Sequence, residues 1–142
     1  MVKSVYYLTL EDVKEVCYTL VTELFQFKEP VPDFETRFPA KLESVLETPK
    51  QEFSGEELYP NLCEKAACYF YFMIKNHPFL NGNKRMAIVA TFVFLRMNKQ
   101  ILKVPWNEIY SFALKTASST RNHEKEFKDV VNFLEKYLKK NL

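Results

Sequence analysis

Within KNHPFLNGNKRMA, residues 75–87, six residues suited to chemistry fall inside nine positions: His77, Asn81, Gly82, Asn83, Lys84 and Arg85. The whole chain has two glycines and two histidines, and one of each is here. An imidazole exchanges a proton near neutral pH and so suits a general base acting on a hydroxyl. Lys84 and Arg85 bring full positive charge, and the arginine fork matches phosphate bidentately. Asn83 offers a side-chain hydrogen bond, while Gly82 allows a positive φ and the close approach of an anion. If 83–85 open a helix, their unpaired backbone N–H groups and the positive end of its dipole add to an anion cradle. A base beside a phosphate cradle suits phosphoryl or nucleotidyl transfer to a hydroxyl, in which catalysis is mostly positioning and charge stabilisation. An Asn-Gly turn, ordinary helix cations and a structural histidine account equally well for the spacing alone.

The charge distribution points the same way. Residues 1–60 carry 6 basic and 12 acidic side chains, and residues 61–142 carry 14 and 6. No carboxylate falls between Glu64 and Glu108, whereas Lys65, Lys75, Lys84, Arg85, Arg96, Lys99 and Lys103 do. That field draws anions. Lys65, Lys99 and Lys103 read as solvated helix ends.

The elements that must hold the segment read as helices, because glycine is scarce and apolar residues recur at three and four. A first helix spans roughly 10–27, with Leu10, Val13, Val16, Cys17, Leu20, Val21, Leu24 and Phe25 on one face. Pro30 and Pro32 break the chain, and a second helix over about 36–47 points Phe38, Leu42, Val45 and Leu46 inward. Residues 47–60 contain Pro49, Gly55 and Pro60 and read as an exposed loop or small hairpin. Two helices that are apolar nearly all round, 58 or 61 to 75 and 83–97, belong at the centre with the segment between them. A fifth begins at Pro105, and a sixth runs from about Asn122 to the C-terminus. Tyr69, Phe70, Tyr71, Phe72, Phe92 and Phe94 then read as core, and His123 as a surface residue.

At 142 residues, 47% hydrophobic and 15% aromatic, the chain fits one domain over 1–142 with a real core. The apolar runs 66–74 and 86–95 fall short of the roughly 20 residues a spanning helix needs. Glu11, Asp12, Lys14 and Glu15 interrupt the start before any leader-like apolar run, so the protein reads as cytosolic. Cys17, Cys63 and Cys68 are odd in number and lack C-x-x-C spacing, which suits small core residues.

HPFLNGNKR resembles the Fic/Doc signature H-x-F-x-[D/E/N]-[G/A]-N-[G/K]-R, and 58–98 resembles the central helices of the Doc (death-on-curing) branch. The general pattern extends over about 5–138. The resemblance implies an all-α Fic/Doc bundle whose motif joins two central helices. It gives His77 the role of base and Phe79 that of loop anchor, with Gly82, Asn83 and Arg85 holding nucleotide phosphates. The loop at 48–57 takes the place of a flap that aligns a target segment by backbone pairing.

Lys84 stands where AMP-transferring members have glycine, and Ile88 where they have an arginine. The Doc branch carries the lysine, which is understood to reverse the nucleotide so that the γ-phosphate moves. The implied function is a toxin that phosphorylates a protein hydroxyl from ATP, with elongation factor Tu as the target the branch suggests and translation as what stops. Asn81 replaces an acid that helps hold Mg²⁺; an amide carbonyl can coordinate or orient a metal-bound water without adding charge. The inhibitory pattern [S/T]-x-x-x-E-[G/N] fails at Lys125 after Thr120 and Glu124, so a separately encoded antitoxin is the expected partner, with no membrane and no direct nucleic acid. The alternatives are AMP transfer and a nucleotide-binding module without turnover. A DNA-binding domain ranks last, because the cations gather at a glycine loop.

Overall fold

The computed structural model describes residues 4–25 and 29–140. Its helices are α1 (Tyr18–Leu24), α2 (Pro39–Glu47), α3 (Leu62–Asn76), α4 (Asn83–Met97), α5 (Trp106–Ser118) and α6 (His123–Tyr137). Two short antiparallel ladders complete it: β1 (Glu52–Phe53) with β2 (Glu56–Glu57), and β3 (Gln100–Leu102) with β4 (Leu138–Lys140). The fold is a mostly helical bundle, as the apolar spacing required.

α3 and α4 form its centre, packed on each other, with α2 and α6 against α3 and α5 against α4. Asn61 starts α3 by accepting the Glu64 N–H at 2.8 Å, which satisfies one of the orphan donors of the first turn. Tyr69, Phe70, Tyr71, Met73 and Ile74 from α3 are buried with Met86, Ile88, Phe94 and Leu95 from α4. Each such side chain contributes about 1.5–3 kcal/mol by leaving water. Ala66, Ala67, Ala87 and Ala90 are buried among them and let the two backbones approach. Cys17, Cys63 and Cys68 are buried free thiols, and burial pushes those of Cys17 and Cys63 up to about 12.

Several readings of the sequence are corrected. The first helical segment covers 10–24 and contains a π-helical stretch, Asp12–Cys17, before α1. Thr9 and Asp12 cap it reciprocally, each side chain accepting the other's backbone N–H. Its buried row is Val13, Cys17, Val21 and Phe25, while Leu10, Val16 and Leu24 are exposed. Val16 and Leu20 instead border an apolar groove of about 490 Å³ with Phe92, Val93 and Met97. Residues 26–28, the expected end of that helix, lie outside the described residues.

The second helix begins only at Pro39, after a 3₁₀ turn at Phe34–Thr36, so Phe38 precedes it and is 43% exposed. The last helix stops at Tyr137, where the chain turns into β4 and pairs with β3, leaving Lys139 on a strand. Lys65 is no solvated helix end: it is buried and paired with Glu57.

A second buried polar group ties α3 to α6. Tyr71 donates to Glu126 Oε1 at 2.6 Å, and Lys75 Nζ lies 3.5 Å from the same oxygen while donating to the Ser119 carbonyl at 2.9 Å. Burial alone would raise the Glu126 pKa, but Ser119, Tyr71 and Lys75 outweigh it and hold the carboxyl down from 4.5 to about 2. A carboxyl lowered in the fold stabilises it above the unfolded value, and that contribution disappears as pH falls through the folded value. Urea unfolding should therefore show stability falling between about pH 4.5 and 2, with a shallower fall in Glu126→Gln. Equal falls in both proteins would mean that this carboxyl is not held down.

Candidate active site

α3 runs into the loop at His77, whose backbone is left-handed (φ 49°, ψ 61°), and Pro78 prevents the helix from continuing. Phe79 then turns back into the core, 3% exposed, with its ring 6.0 Å from that of Phe34. Phe38 donates its N–H to the Pro78 carbonyl at 2.8 Å, so α2's entry and the loop are joined. His77, Leu80 and Asn81 remain exposed.

Gly82 makes the turn into α4 at φ 83°. A Cβ there would lie 2.9 Å from Val31 Cγ2 and 3.2 Å from Arg85 Nη2, so both conformation and space ask for glycine. Asn81 Oδ1 accepts the Gly82 N–H at 2.8 Å, which uses part of the amide that sequence reading assigned to a metal.

Asn83 holds the loop closed. Its Oδ1 accepts the Phe79 N–H and its Nδ2 donates to the Phe79 carbonyl, each at 2.9 Å. The second Nδ2 hydrogen faces His77 Nδ1 at 3.3 Å. An amide nitrogen only donates, so in this contact a neutral His77 carries its proton on Nε2. Nε2 can accept a proton only in the other tautomer, with the ring proton on Nδ1, and that tautomer breaks the contact with Asn83. Asn83 is thus a clamp, and what it leaves for an anion is its backbone N–H.

Arg85 is 7% exposed; its Nη1 donates to the Glu29 carbonyl at 2.6 Å. The side chain borders a pocket of about 310 Å³ with Tyr18, Thr22, Pro30 and Val31. Lys84 is half-buried and, among the described residues, has no hydrogen-bond or ion-pair partner. The first turn of α4 contains no acid and no side-chain cap. With the dipole's positive end, these open amides fit a polyphosphate. Among the described residues no three His, Cys, Asp or Glu side chains converge.

The structure thus brings His77, Gly82, Asn83 and Arg85 together around one short loop. Sequence reading missed Glu29, which accepts from Arg85, Val31, which crowds Gly82, and Tyr18, which lines the pocket beside Arg85, all from more than 50 residues away. No local signal marks them. It also left Lys75 and Arg96 unplaced: the first belongs to the Glu126 network, the second borders the apolar groove.

A sequence model of the Fic/DOC family matches residues 7–95, well over half of the chain. The chain belongs to the Fic/DOC family. Within that match lie α1 to α3, the whole motif loop and most of α4. Among curated relatives, Toxin Doc of Mycolicibacterium smegmatis is 35% identical over 57 residues, which cover 40% of this chain and 44% of that protein. The chain therefore matches less than half the length of this Fic/DOC relative. Among the described residues no helix is long and apolar enough to cross a membrane.

Asn83→Ala leaves the buried Phe79 N–H and carbonyl unpaired, and should lower the unfolding free energy by about 1–3 kcal/mol while the Phe79 amide loses exchange protection. Unchanged stability and protection would show that the loop closes without its clamp.

Proposed function

We propose that this Fic/DOC chain is a Doc-type phosphotransferase that moves the γ-phosphate of ATP to a hydroxyl of a protein. The observation that carries the reading is Lys84: a cation without a hydrogen-bond or ion-pair partner among the described residues, in the first turn of a helix whose N-terminus carries no acid. Ile88 supports it from the other side. It is buried at 1% exposure, so the place three residues after the motif arginine belongs to the core and holds no second guanidinium for AMP transfer.

In the proposed reaction His77 first releases Asn83 and moves its ring proton from Nε2 to Nδ1, and the target oxygen then attacks the γ-phosphorus as its own proton passes to the vacated Nε2. The bond from the γ-phosphorus to the bridging oxygen breaks, and ADP leaves with that electron pair. The α4 amides, Lys84 and Arg85 stabilise the charge that gathers on the phosphate oxygens. Mg²⁺ would come with the nucleotide, its ligands mostly phosphate oxygens and water, with Asn81 adding at most a neutral carbonyl. The β1–β2 hairpin is the element on which a target segment would lie, since its four strand residues are exposed. Elongation factor Tu is the target, and a separately encoded antitoxin the restraint, that the Doc branch suggests.

Purified protein with a bacterial lysate, Mg²⁺ and ATP labelled at either the γ- or the α-phosphate tests the chemistry. Label should arrive from the γ position alone and disappear in His77→Ala. Label from the α position would make the chain an AMP transferase, and ATP binding with no label from either would make it a binding module. Asn81→Asp supplies the missing charge and should lower the Mg²⁺ concentration needed for half-maximal transfer; an unchanged requirement would place the metal entirely on the nucleotide.

A further inference from the structure

The hairpin that would receive the target is exposed along its whole length, yet its root is fixed by a buried cation. Lys65 is 1% exposed, and its Nζ lies 2.9 Å from Glu57 Oε1 on β2 and 2.5 Å from the Tyr59 carbonyl just beyond it. The ring of Tyr7 lies beneath, its centroid 5.7 Å from Lys65 Nζ and 5.7 Å from Nζ of Lys50 at the hairpin's other root. A buried ammonium is costly unless it is paired and hydrogen-bonded, and here one partner is on the hairpin's exit strand and the other lies two residues beyond it. Thr48 and Pro49 are buried at its entry and the Tyr59 ring packs on Phe127 at its exit, but the strands between are exposed. Ser54 and Gly55 turn it at φ 53° and 80°, Leu58 donates to the Gln51 carbonyl at 3.0 Å, and Phe53 at its tip is 74% exposed.

Lys65 stands in the first turns of α3, and His77 caps the same helix. Twelve residues at 1.5 Å each separate them by about 18 Å along one buried, rigid element. The hairpin and the base are therefore mounted on a single ruler.

We infer that Lys65 is a positioning residue for the protein substrate: by anchoring Glu57 and Tyr59 it fixes where an extended target segment on the hairpin stands relative to His77. The inference rests on the phosphotransferase reading above and adds to it a residue outside the motif. Lys65 touches neither nucleotide nor reacting atoms in this scheme, so its loss should act on the target and spare the nucleotide.

Lys65→Met keeps the apolar stem and removes the anchor. Expected are faster amide exchange at Leu58 and a KM for the protein target raised about tenfold or more, with nucleotide affinity unchanged. Glu57→Gln keeps an acceptor for Lys65 and should fall between the two proteins. If Lys65→Met lowers target and nucleotide affinity together, or fails to fold while Glu57→Gln transfers like the wild type, Lys65 is a core residue and the inference is overturned. Wild-type transfer matched by Lys65→Met at the same target KM overturns it too, leaving the phosphotransferase reading intact. Wild-type protein that labels no target overturns that reading, and this inference with it.

Discussion

A short loop between two buried helices has few partners for its own backbone polar groups, and in this fold one amide side chain satisfies two of them. Asn83 accepts from and donates to Phe79, closing the loop from 79 to 83 as a ring. The placing of the candidate site residues depends on this closure. With Phe79 drawn into the core, His77 is left at the rim and the first turn of α4 faces outward beside it. An apolar anchor alone would fix the loop's depth; the amide also fixes its orientation. The same residue that shapes the loop thus spends its side chain on structure, and in the proposed site an anion would be left to backbone amides and to the two following cations.

Arg85 shows a related division of work. Its burial would be costly without an acceptor, and the Glu29 carbonyl supplies one. The guanidinium is thereby pre-oriented beside Gly82 before any ligand arrives, which reduces the ordering that binding would require. Lys84, half-buried and unpaired among the described residues, retains its freedom. One cation is fixed and its neighbour is adaptable, a combination suited to a ligand that must be gripped at one phosphate and followed at the next.

How much of this was legible depended on whether the deciding partner lay nearby in sequence. The starts of α3 and α4 are marked by Asn61 and Gly82, local signals that a reader can place, and the motif's nine residues carry their own geometry. Lys65 defeated the same approach, since its partners sit on a hairpin and a lysine near a helix start is ordinarily solvated. Phe38 failed because Pro39, a residue suited to the first helical turn, pushed the helix start past it. The β3–β4 ladder spans three residues a side with partners 36 to 40 apart, too short to show a period of two. Asn83 was seen, but with its amide assigned to the ligand; only the fold reveals that Phe79 claims it first.

The Glu126 network also bears on when the protein becomes itself. Tyr71 and Lys75 sit on the helix that carries the site, and the carboxylate they share comes from α6, more than 50 residues later. A chain emerging from the ribosome makes α3 and α4 early but must wait for α6 before those two polar groups can be buried satisfied. The apolar face that α6 covers on α3 stays open until then. Synthesis thus delivers the motif before the α6 side chain that supports its helix, so the loop first stands on an incomplete set of partners.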